Sequence, residues 1–173
     1  MNGISTLTIQ ASQQVINYGN KLLEGITPEL FSVKPLIDGK IIQINPPAFQ
    51  YGHLSLYPAR ICGLLGLNTD MVKVNEDFSE LFKKGAISHH DPENKIYPQM
   101  ALIISEFSRT HHALFEILIN VEDSAYFKIN CEEASKDRFP SIGAFVIYLL
   151  TAHMNTHFGQ VCAWRRCVGL PGV

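Results

Sequence analysis

The sequence predicts an all-α protein, a four-helix bundle with long connectors and one short extra helix. Three observations lead there. Four long stretches repeat apolar residues every three or four positions, as core-facing helices do. No stretch alternates convincingly in the manner of a half-buried strand. Prolines and glycines fall at the edges of the periodic stretches, where helices start and stop.

The first helix is expected from about Ser5 to Glu24, with the stripe Leu7, Ala11, Val15, Tyr18 and Leu22, and Gly25 and Pro28 as its stop. Residues 25–45 form a connector too long for a simple bundle turn, ending in the apolar run Ile41, Ile42 and Ile44. It suits a crossover between helices. Asn45 then caps the second helix, with Pro46 at its first position. Phe49, His53, Leu56, Arg60 and Leu64 lie along one side of it. Pro58 cannot donate to the Leu54 carbonyl, so a kink is expected just after His53.

Residues 66–97 read as a polar connector holding a short helix in NEDFSELFKKG, acidic at its start, basic at its end and stopped by Gly85. His89 and His90 follow in a turn-rich segment and read as surface residues. The third long helix is expected from Pro98 to Val121, with the stripe Met100, Ile103, Phe107, His111, Leu114, Leu118 and Val121. After a charge-rich irregular stretch, the fourth starts near Pro140 or Ser141 and runs to Val168, where Gly169 and Pro171 end it.

Composition narrows the function. With 46% hydrophobic and 17% charged residues, 173 residues suit one globular domain spanning 1–173. The formal charge of −2 and the lack of a basic stripe argue against nucleic acid or an anionic membrane surface as partner. The first residues lack a charged and then continuously apolar leader, and no apolar run is long enough to span a bilayer. A cytoplasmic location is therefore expected. Cys62, Cys131, Cys162 and Cys167 include no C-x-x-C pair and read as buried reduced thiols rather than a zinc site.

The chemistry concentrates in HMNTHFGQ. The inner stripe of the fourth helix is Ile142, Val146, Leu149, His153, His157, Gln160 and Trp164. Its second half puts polar nitrogens where aliphatic side chains are expected. His153 and His157 are one turn apart on one face, and His53 holds a similar place on the second helix. The plain alternative is three core histidines hydrogen-bonded to carbonyls. A single ion would satisfy all three imidazoles together. The second and fourth helices carry no Asp or Glu, which argues against a carboxylate-bridged di-iron bundle, and Met154 argues against an H-E-x-x-H protease. Three neutral imidazoles leave a divalent ion its full charge, favouring hydroxide or thiolate as incoming ligand. Zinc or nickel stands first as the ion, while manganese, iron and cobalt also suit imidazole. Protonation of free imidazoles should weaken the site below about pH 6.

GHLSLY around His53, with HMNTHFGQVCAWRRCVGLP at the other end, resembles the DinB-like superfamily. The shared pattern is G-H-L-x-x-Y, then H-x-x-x-H-x-G-Q, then R-R-x-x-G-L-P, and helix order agrees along nearly the whole chain. Pro58, just after the second-helix tyrosine, departs from it. The resemblance implies a four-helix bundle, often a homodimer, with His53, His153 and His157 as metal ligands. It also implies a metal-dependent S-transferase or isomerase acting on small electrophilic substrates with a low-molecular-weight thiol. A metal-dependent hydrolase and a non-catalytic metal- or ligand-binding module are the other readings. Tyr57, four residues beyond His53, could donate a proton or orient a ligand, or be a packed bundle tyrosine. Gln160 could hydrogen-bond a ligand or a nearby backbone. Arg60, Arg165 and Arg166 are the nearest cations and could hold an acidic thiol, although Arg165 and Arg166 also suit a helix C-terminus. Gly159 is a candidate for close helix approach at the pocket, and His111 for a core or supporting histidine.

Overall fold

A computed structural model describes residues 3–173, and it is mostly helical. Met1 and Asn2, included in the expected domain, lie outside the described residues. The elements run α1 (Gly3–Leu22), α2 (Pro28–Phe31), β1 (Leu36–Ile37), β2 (Lys40–Ile41), α3 (Pro47–Leu54), α4 (Tyr57–Leu65), α5 (Glu76–Phe82), α6 (Met100–Leu118), α7 (Asp123–Tyr126) and α8 (Ile142–Tyr148). A π turn (Leu149–His153) then leads into α9 (Met154–Cys167). No described helix is long and apolar enough to cross a membrane.

Two apolar clusters share the interior. One gathers Tyr51, Phe107, Phe158 and Trp164, where α1, α3, α6 and α9 meet. The other gathers Ile61, Leu114, Phe145 and Leu150, where α4, α6 and α8 meet. The chain passes from one cluster to the other along the unbroken α6 and at two interruptions. The expected second helix is broken at Ser55–Leu56 into α3 and α4, with Pro58 in the first turn of α4. Proline is tolerated there because the first N–H groups of a helix have no intrahelical acceptor. The expected fourth helix is interrupted by the π turn between α8 and α9.

Several expectations need correction. The buried face of α1 is Ser5, Thr8, Ser12, Val15, Gly19 and Leu22. Leu7 is 68% exposed. Small residues win this face because α1 lies very close to its neighbours. A Cβ on Gly19 would come within 2.3 Å of the Phe158 ring. Ser5 Oγ donates to the Val121 carbonyl and shares a hydrogen bond with the Tyr126 hydroxyl. Asn45 does not cap α3. Its side chain accepts from Ser88 Oγ instead, and Pro46 holds the cap position. The first connector contains a small hairpin, β1–β2, turned by Asp38 and Gly39 with φ of 50° and 75°. An Asp-Gly pair suits such a turn because both central residues need positive φ.

The segment after Gly85 is largely exposed, His89 included, as expected, but it is pinned to the body at Asp91 and His90. The buried Asp91 carboxylate accepts from the backbone N–H groups of Lys95, Ile96 and Tyr97, and His90 Nδ1 accepts from the Lys34 N–H. Of the four cysteines, all free thiols, only Cys62 is fully buried, while Cys131 is exposed. Ser141 does cap the fourth helical segment, accepting from the Ala144 N–H, and Asn75 caps α5 through the Phe78 N–H.

His111 sits on the inner face of α6, as its place in the stripe predicts, and is 1% exposed. Its Nδ1–H donates to the Phe107 carbonyl, while Nε2 is buried without a partner. Burial pushes its pKa down to about 4. The unfolded chain then binds the extra proton at higher pH than the fold does, so the stability tied to a neutral His111 is intact above pH 6.5 and lost as pH falls toward 4. Chemical denaturation at pH 7 and pH 4 should show wild type losing roughly 3 kcal/mol more than His111→Phe between the two. An equal loss in both proteins would contradict it.

Candidate metal centre

His53, His153 and His157 come together where the two clusters join. Each offers a ring nitrogen, and the three nitrogens lie within 4.8 Å of one another. His53 comes from the last turn of α3, just before the break, and is 7% exposed. His153 closes the π turn, and His157 follows one turn later on α9, both half-buried. Among the described residues this is the one group of three or more His, Cys, Asp or Glu side chains placed to hold an ion.

The tautomers follow from the neighbours. His53 Nδ1 is 2.7 Å from the Phe82 carbonyl, which only accepts, so the proton is on Nδ1 and Nε2 carries a bare lone pair. Tyr57 Oη lies 3.1 Å from that Nε2 and donates to it. Gln50 sets His157 in the same way. Its Nε2 donates to Gln160 Oε1 at 2.6 Å, which turns its own Oε1 toward His157 Nδ1 at 2.5 Å. His157 Nδ1–H therefore donates to Gln50, and His157 Nε2 is bare. That atom is 3.2 Å from His153 Nε2. Two lone pairs at this distance repel unless a proton or a cation lies between them. His153 Nδ1 is buried without a partner, the kind of shortfall that points to a missing ion or water. The donor set could hold a divalent metal ion between three neutral imidazoles, of which His53 and His157 have their far nitrogens anchored by a carbonyl and an amide.

Electrostatics keep the site ready for a cation. Burial lowers all three imidazole pKa values. His153 falls to about 4, helped by the charges of His53 and Arg60. His157 falls to about 3, helped by His153 and His53. Burial therefore moves proton competition at the folded site to a lower pH than at free imidazoles. Burial raises the Tyr57 pKa, with Arg60 opposing it, so the phenol stays protonated and remains a donor at neutral pH.

The other candidates divide. Tyr57 is at the triad, its ring 4.3 Å from that of His153. Arg60 is close by, its guanidinium 5.8 Å from the centre of the Tyr57 ring. Gln160 acts through Gln50 rather than on the imidazoles directly. Arg165 is a correction. It is 1% exposed and donates to the carbonyls of Leu22, Glu24 and Pro171, tying the end of α1 to the C-terminal segment. These bonds account for its guanidinium and leave it as a structural clamp. Arg166 is exposed, and Gly159 faces open space with no neighbour against it. His111 is core and takes no part in the triad.

Gln50 is the residue that sequence reasoning missed. It lies three positions before His53 on the same helix face, a polar group among apolar ones, and that was its only signal. Gly52 explains the glycine of the G-H-L motif. A Cβ there would come within 2.5 Å of the Phe82 ring. Glycine thus lets α5 lie against α3 closely enough for the Phe82 carbonyl to reach His53. No family model matches the chain, and no curated protein matches it.

Replacing Gln50 with Leu should lower zinc affinity, measured by competition with a chelator of known strength, by roughly 10- to 100-fold, the usual effect of losing a ligand's anchor. Unchanged affinity would mean that Gln50 does not orient His157.

Proposed function

We propose that this chain is a divalent-metal-dependent enzyme of the DinB-like type, an S-transferase that joins a low-molecular-weight thiol to a small electrophile, or an isomerase that uses such a thiol and regenerates it. The observation that carries the reading is the convergence of three neutral imidazoles from two distant segments within 4.8 Å. In this reading the bundle's four members are α1, α3 with α4, α6, and α8 with α9. The protein works in the cytoplasm as a homodimer, on a small molecule.

A divalent ion held by three neutral imidazoles supplies uncompensated positive charge, which lowers the pKa of a thiol brought beside it. The protein's own groups do the rest. The Phe82 carbonyl and Gln50 hold His53 and His157 in the tautomers that present Nε2. Tyr57 holds a proton beside His53 Nε2, at a place from which it can protonate or orient the acceptor end of the electrophile. Arg60 keeps positive charge at the edge of the site. Among the described residues, those lining the adjoining cleft include no carboxylate to act as a general base for water. That favours thiol transfer over hydrolysis, because a thiol acidified by the ion needs no such base.

The test is thiol consumption with a panel of small thiols and the electrophile monochlorobimane, using metal-depleted and zinc- or nickel-reloaded protein. Turnover should require both metal and thiol and drop to background in His153→Ala. Turnover without metal, turnover without thiol, or full activity in His153→Ala would contradict the proposal.

A further inference from the structure

Beside the triad the surface opens into two lobes of about 190 and 220 Å³ that meet at Tyr57, Arg60 and Lys84. One runs past His53 to Lys83, and the other runs past His153 to Arg138 and Tyr148. Four basic side chains thus border the cleft in a chain whose formal charge is −2. Two of the four are already answered. Lys83 pairs with Glu80, and Arg60 Nη2 pairs with Glu132 Oε1 at 2.5 Å. Among the described residues, neither Lys84 nor Arg138 has an acidic partner within ion-pair distance.

The guanidinium groups lie over aromatic rings. Arg138 is 5.1 Å from the Phe139 ring centre and 5.2 Å from that of Tyr148, and Arg60 is 5.1 Å from that of Phe145. A guanidinium lying over a ring keeps its donors in its own plane, free for an acceptor at its edge. Glu132 shows what such an edge takes. Its carboxylate, beside the cleft rather than among the residues that line it, is held by Arg60 on one oxygen and by Ser135 Oγ on the other.

We infer that the cleft binds a small organic anion with a flat apolar body. A carboxylate or phosphate head is held by Arg138 and Lys84, and the apolar part lies against Tyr148 and Phe139, directed toward His153. Glu132 competes with the bound head for the same positive field. This names the substrate class of the proposed enzyme, and its choice of cleft rests on the triad being the reactive centre.

The test is calorimetric titration of the metal-free and zinc-loaded protein with benzoate, phenyl phosphate, the neutral benzamide and the cationic benzylamine. At least one of the two anions should bind about tenfold tighter than benzamide even without metal, and benzylamine should bind worst. The better of the two anions tells carboxylate from phosphate. Arg138→Gln should weaken that anion about tenfold and leave benzamide unchanged, whereas Glu132→Gln should tighten it. Thermal unfolding of both variants, each altered at the surface, confirms that they are folded. Anions that bind no better than benzamide, or anion binding that appears only with metal and ignores Arg138, would overturn the inference. Zinc content is measured on the same samples. Protein that binds zinc but does not prefer anions overturns this inference alone. Protein that prefers anions but binds no zinc overturns the reading of the triad and leaves the anion site standing.

Discussion

The structure depends on holding three uncharged imidazoles close together, steeply tilted to one another, in a partly buried pocket. Such an arrangement is costly unless each ring has a defined tautomer and a shared partner for its lone pair. Two of the three rings receive their tautomer from outside the triad. Phe82 offers a carbonyl to His53, and Gln50 offers an amide oxygen to His157. These anchors turn the bare nitrogens inward. Burial and mutual repulsion then keep the rings unprotonated well below neutral pH. Such a cavity presents converging lone pairs that could hold a cation, and it binds protons weakly.

Much of the surrounding architecture serves that convergence. Gly52 leaves room for Phe82, and so brings α5 within reach of α3. The break after His53 and the π turn ending at His153 fall at the same level of the molecule, where one apolar cluster gives way to the other. Proline breaks and π turns release helices from strict repetition, and π turns recur at functional sites for that reason. Here both interruptions sit next to candidate ligand residues, and Tyr57 opens the helix that follows the first of them. The arginine with the strongest claim by position in the motif, Arg165, serves the fold instead. It satisfies the carbonyls left over at the end of α1, a task for which its fixed fork of donors is well suited.

The sequence made part of this legible for identifiable reasons. His153 and His157 stand out because polar nitrogens replace aliphatics within a regular stripe, and helical geometry then puts them on one face. Pro58 marks the break because its chemistry forbids a continuous helix. His111 falls on the buried face of α6, as its spacing indicates. Other features depend on contacts between distant segments and leave little local trace. Gln50 reaches residues 107 and 110 positions away. The buried face of α1 is chosen by the fit of small side chains against Phe158 and Tyr126, and hydrophobic spacing ranks Leu7 above Ser5 and Ser12. The π turn and the clamp formed by Arg165 likewise arise from packing. The β1–β2 hairpin is not among the expected elements either, although its Asp38-Gly39 turn is a local signal.

The central claim is that these three imidazoles grip one cation. It is tested most directly by titrating chelator-treated protein with cobalt(II) while following the visible absorption of the bound ion. The account predicts saturation at one cobalt per chain, with ligand-field bands of nitrogen coordination, displacement by zinc, and loss of tight binding in His53→Ala. Absence of stoichiometric binding, or the same titration curve in His53→Ala, would contradict it.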